Sequence, residues 1–187
     1  MKPLLAISDL IDLTLKWIAY TFGWCFLANV IVICFDVVSR KFGFQLPYGW
    51  GSTPLQELQW HLHAVLFLTW IGYAYVRNAH VRIDIVTGTL SDRSQASLEL
   101  FGCIFFALPY LYFAVPYAWD FFTVSFWQNE SSSAPNGLSR RWIVKGFLFF
   151  GFLSVLLAVI SVMIRRFVFL FGSPDDRQRA MPAAAAH

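Results

Sequence analysis

Four apolar runs, each long enough to cross a lipid bilayer, dominate the sequence. They cover residues 17–35, 58–76, 100–119 and 146–164, and none of them contains Lys, Arg, Asp or Glu. An α-helix rises about 1.5 Å per residue, so about 20 residues span the roughly 30 Å hydrocarbon layer. The pattern therefore predicts an all-α membrane protein with four transmembrane helices, at about 17–38, 54–77, 97–119 and 143–165, within a membrane domain of 17–172.

Composition narrows the function classes. Hydrophobic residues make up 58% of the 187 residues and charged residues only 13%, whereas about a quarter of a soluble domain is charged. The segments between the runs are too short to hold a soluble catalytic domain. A net charge of +3 gives no basis for binding nucleic acid. We expect a membrane component that is not an enzyme and carries no cofactor.

The two ends of the chain differ from the apolar runs. In residues 1–16, leucine and isoleucine recur at helical spacing, while Asp9, Asp12 and Lys16 fall together on another face. This pattern predicts an amphipathic helix that lies in the membrane interface before the first span. Residues 173–187 contain Pro174, two acids and an alanine run, which predict a disordered cytoplasmic tail.

The distribution of Lys and Arg predicts the orientation in the membrane. If both termini are cytoplasmic, nine basic residues lie on the cytoplasmic side and five on the opposite side. Membrane proteins carry an excess of basic residues in their cytoplasmic segments. We therefore expect both termini inside, Ser91 inside and Ser133 outside.

Few polar groups enter the membrane zone. Asp36 lies near the end of the first span, one turn before Arg40, so the two can form an ion pair that closes the helix end. Glu57 begins the second helix and is expected to pair with a basic group, in this chain or in a partner. Asn29 is expected to bond to a neighbouring helix. Glu130, in a polar loop rich in turn residues, is expected to be unimportant for assembly.

The segment after the second span is the most patterned polar stretch. Arg77, His80 and Asp84 are spaced three and four residues apart, which places them on one face of any helix there. An acid–base pair of His80 and Asp84 would lack a nucleophile and a pocket. A short interfacial helix on the cytoplasmic surface, which orients the bundle or contacts a partner, is the favoured interpretation.

The residues leave two alternative functions open. A membrane anchor of a redox enzyme would need haem ligands from two helices. His61 and His63 lie on one helix, about 200° apart around it. A self-contained small transporter would need several convergent polar groups in the membrane, and Asp36 with Asn29 is a small set.

Four short motifs follow one another along the predicted helices. They are Asp36-Val-Val-Ser-Arg40, Trp50 to Glu57, Gly72 to Arg77 to His80-Val-Arg-Ile-Asp84, and Gly137-Leu-Ser-Arg-Arg-Trp142 with Lys145. In this order the chain resembles, over essentially its whole length, the small membrane subunit of tripartite ATP-independent periplasmic (TRAP) transporters, the DctQ-like family.

The resemblance implies a partner rather than an active site. In that family the small subunit binds a large DctM-like membrane subunit, which carries the substrate and sodium sites, and a periplasmic substrate-binding protein delivers an organic acid or related solute. The implied role is a scaffold subunit in the bacterial inner membrane, in contact with membrane lipids and with no catalytic, substrate or metal residues. Candidate residues for partner binding or assembly are Asp36, Arg40, Glu57, Trp60, Gly72, Arg77, His80, Asp84, Arg141 and Lys145.

Overall fold

The regular elements in the described part of the chain are helices. A computed structural model describes residues 1–43, 51–79 and 90–180. Its elements are α1 (Lys2–Phe42), α2 (Ser52–Val76), α3 (Asp92–Gly102), a π-helical turn (Cys103–Ala107), α4 (Leu108–Trp127), α5 (Trp142–Phe171) and α6 (Pro174–Ala180). The predicted all-α class is therefore confirmed over the described ranges.

Within the described ranges, three helical stretches are long and apolar enough to cross a membrane: α1, the continuous stretch Asp92–Trp127, and α5. The helix α2 has 25 residues, about 38 Å at 1.5 Å per residue. Its first half carries two glutamines, one glutamate and two histidines, which lower its mean hydropathy. That α2 also crosses the membrane, which would bring the number of spans to the predicted four, therefore stays a prediction.

The helix α1 is unbroken over 41 residues, so the predicted interfacial segment 1–16 continues directly into the first span. Its buried positions include Ser8 and Leu15 near the start and Asn29 and Asp36 near the end. These positions share a spacing of seven residues or a multiple of it, which is typical of a helix that contacts its neighbours along one seam. The placement of residues 1–16 in the membrane interface stays a prediction.

A π-helical turn precedes Pro109. The N–H of Leu108 donates to the carbonyl of Cys103, five residues earlier. A proline ring clashes with the carbonyl four residues before it in a regular α-helix, which here is that of Phe105. The wider turn at Cys103–Ala107 accommodates the ring, as local adjustments around proline do in membrane helices. Pro116, in contrast, lies within α4.

The chain divides into two compact units. The first unit comprises Met1–Trp17, Ile71–Ala114 and Leu153–His187, and the second comprises Ile18–Trp70 and Val115–Phe152.

In the first unit, a small apolar cluster joins three helices. Leu5 of α1, Val168 of α5 and Ala180 of α6 are buried together, and Ile164 and Phe169 pack against them. The burial of Ala180 explains why the tail does not begin directly after α5.

The predicted disorder of residues 173–187 is therefore wrong for α6. Two acids lie in the first turn of this helix and two arginines in its last turn, the arrangement that the helix dipole favours. Asp176 also accepts a hydrogen bond from the hydroxyl of Ser173 at 2.8 Å. The rest of the predicted tail, 181–187, lies outside the described residues.

In the second unit, aromatic side chains connect the helices. The rings of Phe22 and Phe147 meet edge to face with centroids 5.3 Å apart. Trp119 contacts Phe149 at 5.1 Å. Each such pair contributes about 0.5–1.5 kcal/mol beyond the area it buries.

Candidate functional site

Asp36, at the end of α1, is a buried carboxylate with three donors. It is 1% exposed. Its oxygens accept from Arg40 Nη2 at 2.9 Å, from Ser52 Oγ at 3.2 Å and from Gln59 Nε2 at 3.2 Å. A buried charge is stable only when it is paired and hydrogen-bonded in this way. The predicted pair with Arg40 is confirmed, and two donors from α2 add to it.

Glu57, on the first turns of α2, holds the loop that connects α4 and α5. Its carboxylate accepts the hydroxyl of Ser132 and the backbone N–H of Leu138, the latter at 2.5 Å. Gly137 packs directly against this contact. A Cβ atom there would collide with the Ser132 side chain and lie 2.9 Å from Glu57 Oε2. The loop can approach the carboxylate because this position has no side chain.

Within residues 1–43, 51–79 and 90–180 the Glu57 carboxylate forms no direct ion pair. Its oxygens accept from a hydroxyl and a backbone N–H of the loop, and the nearby guanidinium of Arg141 interacts with it electrostatically. Pairing of Glu57 with a partner protein stays a prediction.

Glu130 anchors the other side of the same loop. Its carboxylate forms an ion pair with Lys145 of α5. The hydrogen bond from Lys145 holds the pKa of Glu130 below its usual value. The Lys145 ammonium also lies 3.8 Å from the ring centroid of Phe121, close enough for a cation–π contact. Glu130 therefore has a contact within the chain, and its expected unimportance for assembly stays a prediction.

Trp60, one turn after Glu57, contacts two further side chains. Its ring stacks on that of His61, with centroids 3.9 Å apart, and the guanidinium of Arg141 lies 5.7 Å from the Trp60 ring. His61 Nδ1 contacts the Glu57 carbonyl of its own helix. Among the described residues, no group of three or more His, Cys, Asp or Glu side chains could hold a metal ion.

Gly72 marks a close approach of two helices in the first unit. A Cβ atom at this position of α2 would lie 2.7 Å from the carbonyl oxygen of Ser154 in α5 and 2.8 Å from its Oγ. Small residues let membrane helices approach until their backbones touch. Gly72 is therefore a packing residue of this chain.

Two ion-pair clusters in the first unit were missed by sequence analysis. Arg165 of α5 binds both Asp9 and Asp12 of α1, with its Nη2 2.6 Å from each carboxylate. Arg166 binds Glu99 of α3. The amphipathic pattern of residues 1–16 predicts a polar face with Asp9 and Asp12, and this face carries an intramolecular contact. The available signal was the basic pair that ends the fourth apolar run.

The segment that follows α2 is described only in part. Arg77 follows the end of α2 and is exposed. His80 and Asp84 lie outside the described residues, so their shared face stays a prediction. Of the ten candidates, the structure thus brings together Asp36 with Arg40 in one cluster, and Glu57, Trp60 and Arg141 near another.

Comparison with known proteins identifies the family. Residues 29–169 match the family described as tripartite ATP-independent periplasmic transporters, DctQ component. Comparisons with curated proteins and with solved structures gave no match. The matched range begins within α1 and ends near the end of α5, so it contains both the Asp36 cluster and the loop held by Glu57. The chain belongs to the DctQ family of TRAP transporter components.

Proposed function

We propose that this chain is a scaffold subunit of a sodium-driven TRAP transporter. It binds and stabilises a large DctM-like subunit in the bacterial inner membrane, with four spans and both termini inside. The large subunit carries the substrate and ion sites, and a periplasmic binding protein delivers an organic acid or related solute. The family assignment supports a transporter component, and the internal contacts of the chain support the scaffold role.

The observation that carries the proposal is the state of the buried acids. Asp36 accepts from three donors, and Glu57 from two. A transport site needs polar groups that are free to exchange their partners with a substrate or ion. Carboxylates that accept hydrogen bonds from their own chain hold its helices and loops together instead.

Asn29 of α1 differs from these two acids. Its buried Oδ1 has no hydrogen-bond partner within the described ranges. A single amide oxygen is too small a set for a solute site, because transporters bind their substrates with several convergent groups at broken helices. Asn29 therefore does not alter the proposal.

The exposed surface supports a role in a membrane assembly. Trp17 is 66% exposed, Trp24 73% and Tyr112 75%, and large apolar side chains surround them on α1 and α4. Soluble proteins rarely expose so many large apolar side chains. Lipid tails and a partner subunit are the environments that such surfaces require.

Reconstitution in vesicles tests the proposal. The chain alone is expected to move no solute. Together with its large subunit, sodium and a loaded binding protein, it is expected to support uptake. Sodium-driven uptake by this chain without the large subunit would contradict the scaffold role.

A matched pair of variants separates assembly from transport. Asp36→Asn removes a buried charge with three partners, and we expect complex yield and uptake to fall in parallel. Asp120→Asn makes the same change at an exposed position of α4 and is expected to leave both unchanged. A fully assembled Asp36→Asn complex without uptake would assign Asp36 to transport itself.

A further inference from the structure

An open groove of about 790 Å³ runs between α3 and the end of α5 in the first unit. Along α3, the polar residues Arg93, Ser94 and Ser97 come first, and the apolar residues Leu98 and Phe101 follow. Leu90 before α3 and Leu170 and Phe171 of α5 complete the lining.

The cation of this groove is available for a ligand. Within the described ranges, the guanidinium of Arg93 contacts no acceptor, whereas Arg166 is occupied by Glu99. The Ser97 hydroxyl donates to the Arg93 carbonyl at 2.9 Å, and Ser94 shares a hydrogen bond with Ser91 at 3.0 Å. The guanidinium is therefore the main donor for an anion, and its planar fork suits the oxygens of a phosphate.

The apolar side chains that line the groove are exposed in the free chain. Leu98 is 50% exposed, Phe101 49% and Phe171 64%. The groove thus joins one free cation to an apolar strip, which is the arrangement of a phospholipid with its headgroup and acyl chain.

The position of the groove agrees with the level of the headgroups. The ion pair of Glu99 and Arg166 marks a polar level, because a charged pair at the bilayer centre is costly. Arg93 precedes Glu99 by six residues, about 9 Å farther along the helix at 1.5 Å per residue. Phe101 lies two residues to the other side of Glu99, toward the apolar part of the stretch Asp92–Trp127.

We infer that this groove binds one anionic phospholipid, with its phosphate at Arg93 and an acyl chain along Leu98 and Phe101. The inference requires only that the chain lies in a membrane, and it is independent of the transported solute. Basic pockets between helices at the membrane surface bind anionic lipid headgroups in this way.

Native mass spectrometry of the purified full chain tests the inference. Phosphatidylglycerol and phosphatidylcholine with identical acyl chains are the two probes. Arg93→Gln is expected to weaken binding of phosphatidylglycerol about fivefold, the equivalent of the ~1 kcal/mol that one basic residue contributes at an anionic surface. Leu98→Gln is expected to weaken both lipids, because it changes the acyl contact only.

Arg179→Gln is the matched control. Arg179 is an exposed arginine of α6 in the same unit and lies outside the groove, so binding is expected to stay unchanged. Equal losses in the Arg93 and Arg179 variants would reduce the effect to general surface charge and overturn the inference.

Two further outcomes would overturn it. Displacement of the lipid by excess inorganic phosphate would show a site for a free anion. Loss of the lipid when the large subunit is added to the wild-type chain would show that a protein partner covers the groove.

Discussion

Substitution of Gly72 by alanine tests the close approach of α2 and α5. The new Cβ would lie 2.7 Å from the Ser154 carbonyl oxygen and 2.8 Å from its carbonyl carbon. Both are backbone atoms, so the contact cannot be relieved by a side-chain rotation and one helix must move. Overpacking of this kind costs about 1–3 kcal/mol, and contact with a backbone favours the upper part of that range.

Gly102→Ala is the matched control for this prediction. Gly102 ends α3 in the same unit, and nothing lies within 4 Å of an added Cβ. Here the change is expected to stabilise the chain by about 1 kcal/mol, because alanine favours the helix. The same intrinsic gain reduces the net loss in Gly72→Ala to about 2 kcal/mol, so the two variants are expected to differ by about 3 kcal/mol.

Thermal unfolding in detergent, followed by tryptophan fluorescence, measures the difference. A chain of this size shifts its Tm by about 2–4 °C per kcal/mol. Gly72→Ala is therefore expected to lower Tm by about 4–8 °C and Gly102→Ala to raise it by about 2–4 °C. Equal shifts in the two variants, or a higher Tm for Gly72→Ala, would refute the close backbone contact.

Three further predictions concern the loop between α4 and α5 and the orientation of the chain. Glu57→Ala leaves a hydroxyl and a backbone N–H without their acceptor. It is therefore expected to lower the free energy of unfolding by about 1–3 kcal/mol and to speed proteolysis of the loop. Unchanged cleavage would contradict the role of Glu57 in holding the loop. The pKa of Glu130 is lowered by Lys145, so its contribution to stability is complete above the unfolded pKa and is lost as pH falls through the lower folded value. Proteolysis of the loop is expected to accelerate in the wild type over this pH range. Glu130→Gln is expected to remove this part of the pH dependence, and identical pH profiles of the two proteins would contradict the prediction. Single cysteines at Ser133 and Ser91, in a chain without its native cysteines, are expected to react with an impermeant maleimide in intact cells at position 133 only; the reverse result would invert the orientation.

Local contacts could be predicted from the sequence, and distant ones could not. The apolar runs predicted the helices because a helix in lipid satisfies its own backbone. The pair of Asp36 and Arg40 followed from their spacing of four residues. The partners of Glu57 lie 75 and 81 residues away in the chain. No periodicity relates positions so far apart, so the sequence favoured a generic basic partner in place of a hydroxyl and a backbone N–H.

The ends of the chain show the same limit. The composition of residues 173–187, with Pro174, two acids and an alanine run, favoured disorder, but Ala180 is buried against Leu5 and Val168. This tertiary contact overrides a weak local preference. Asp12 likewise has its partner, Arg165, 153 residues later, so its face could be predicted but its contact could not.

The hydrogen bonds of α2 also set an order of events during synthesis. Ser52 and Gln59, which bond to Asp36, follow it by 16 and 23 residues. At a synthesis rate of 5–20 residues per second, both are therefore made within about 1–5 s after Asp36. Leu138, which donates to Glu57, is made 81 residues later, after a delay of about 4–16 s at the same rate. During that interval the nascent α2 carries a carboxylate whose acceptor sites are unfilled by its own chain, and the earlier bonds to Asp36 are what can hold the helix in place until the loop arrives.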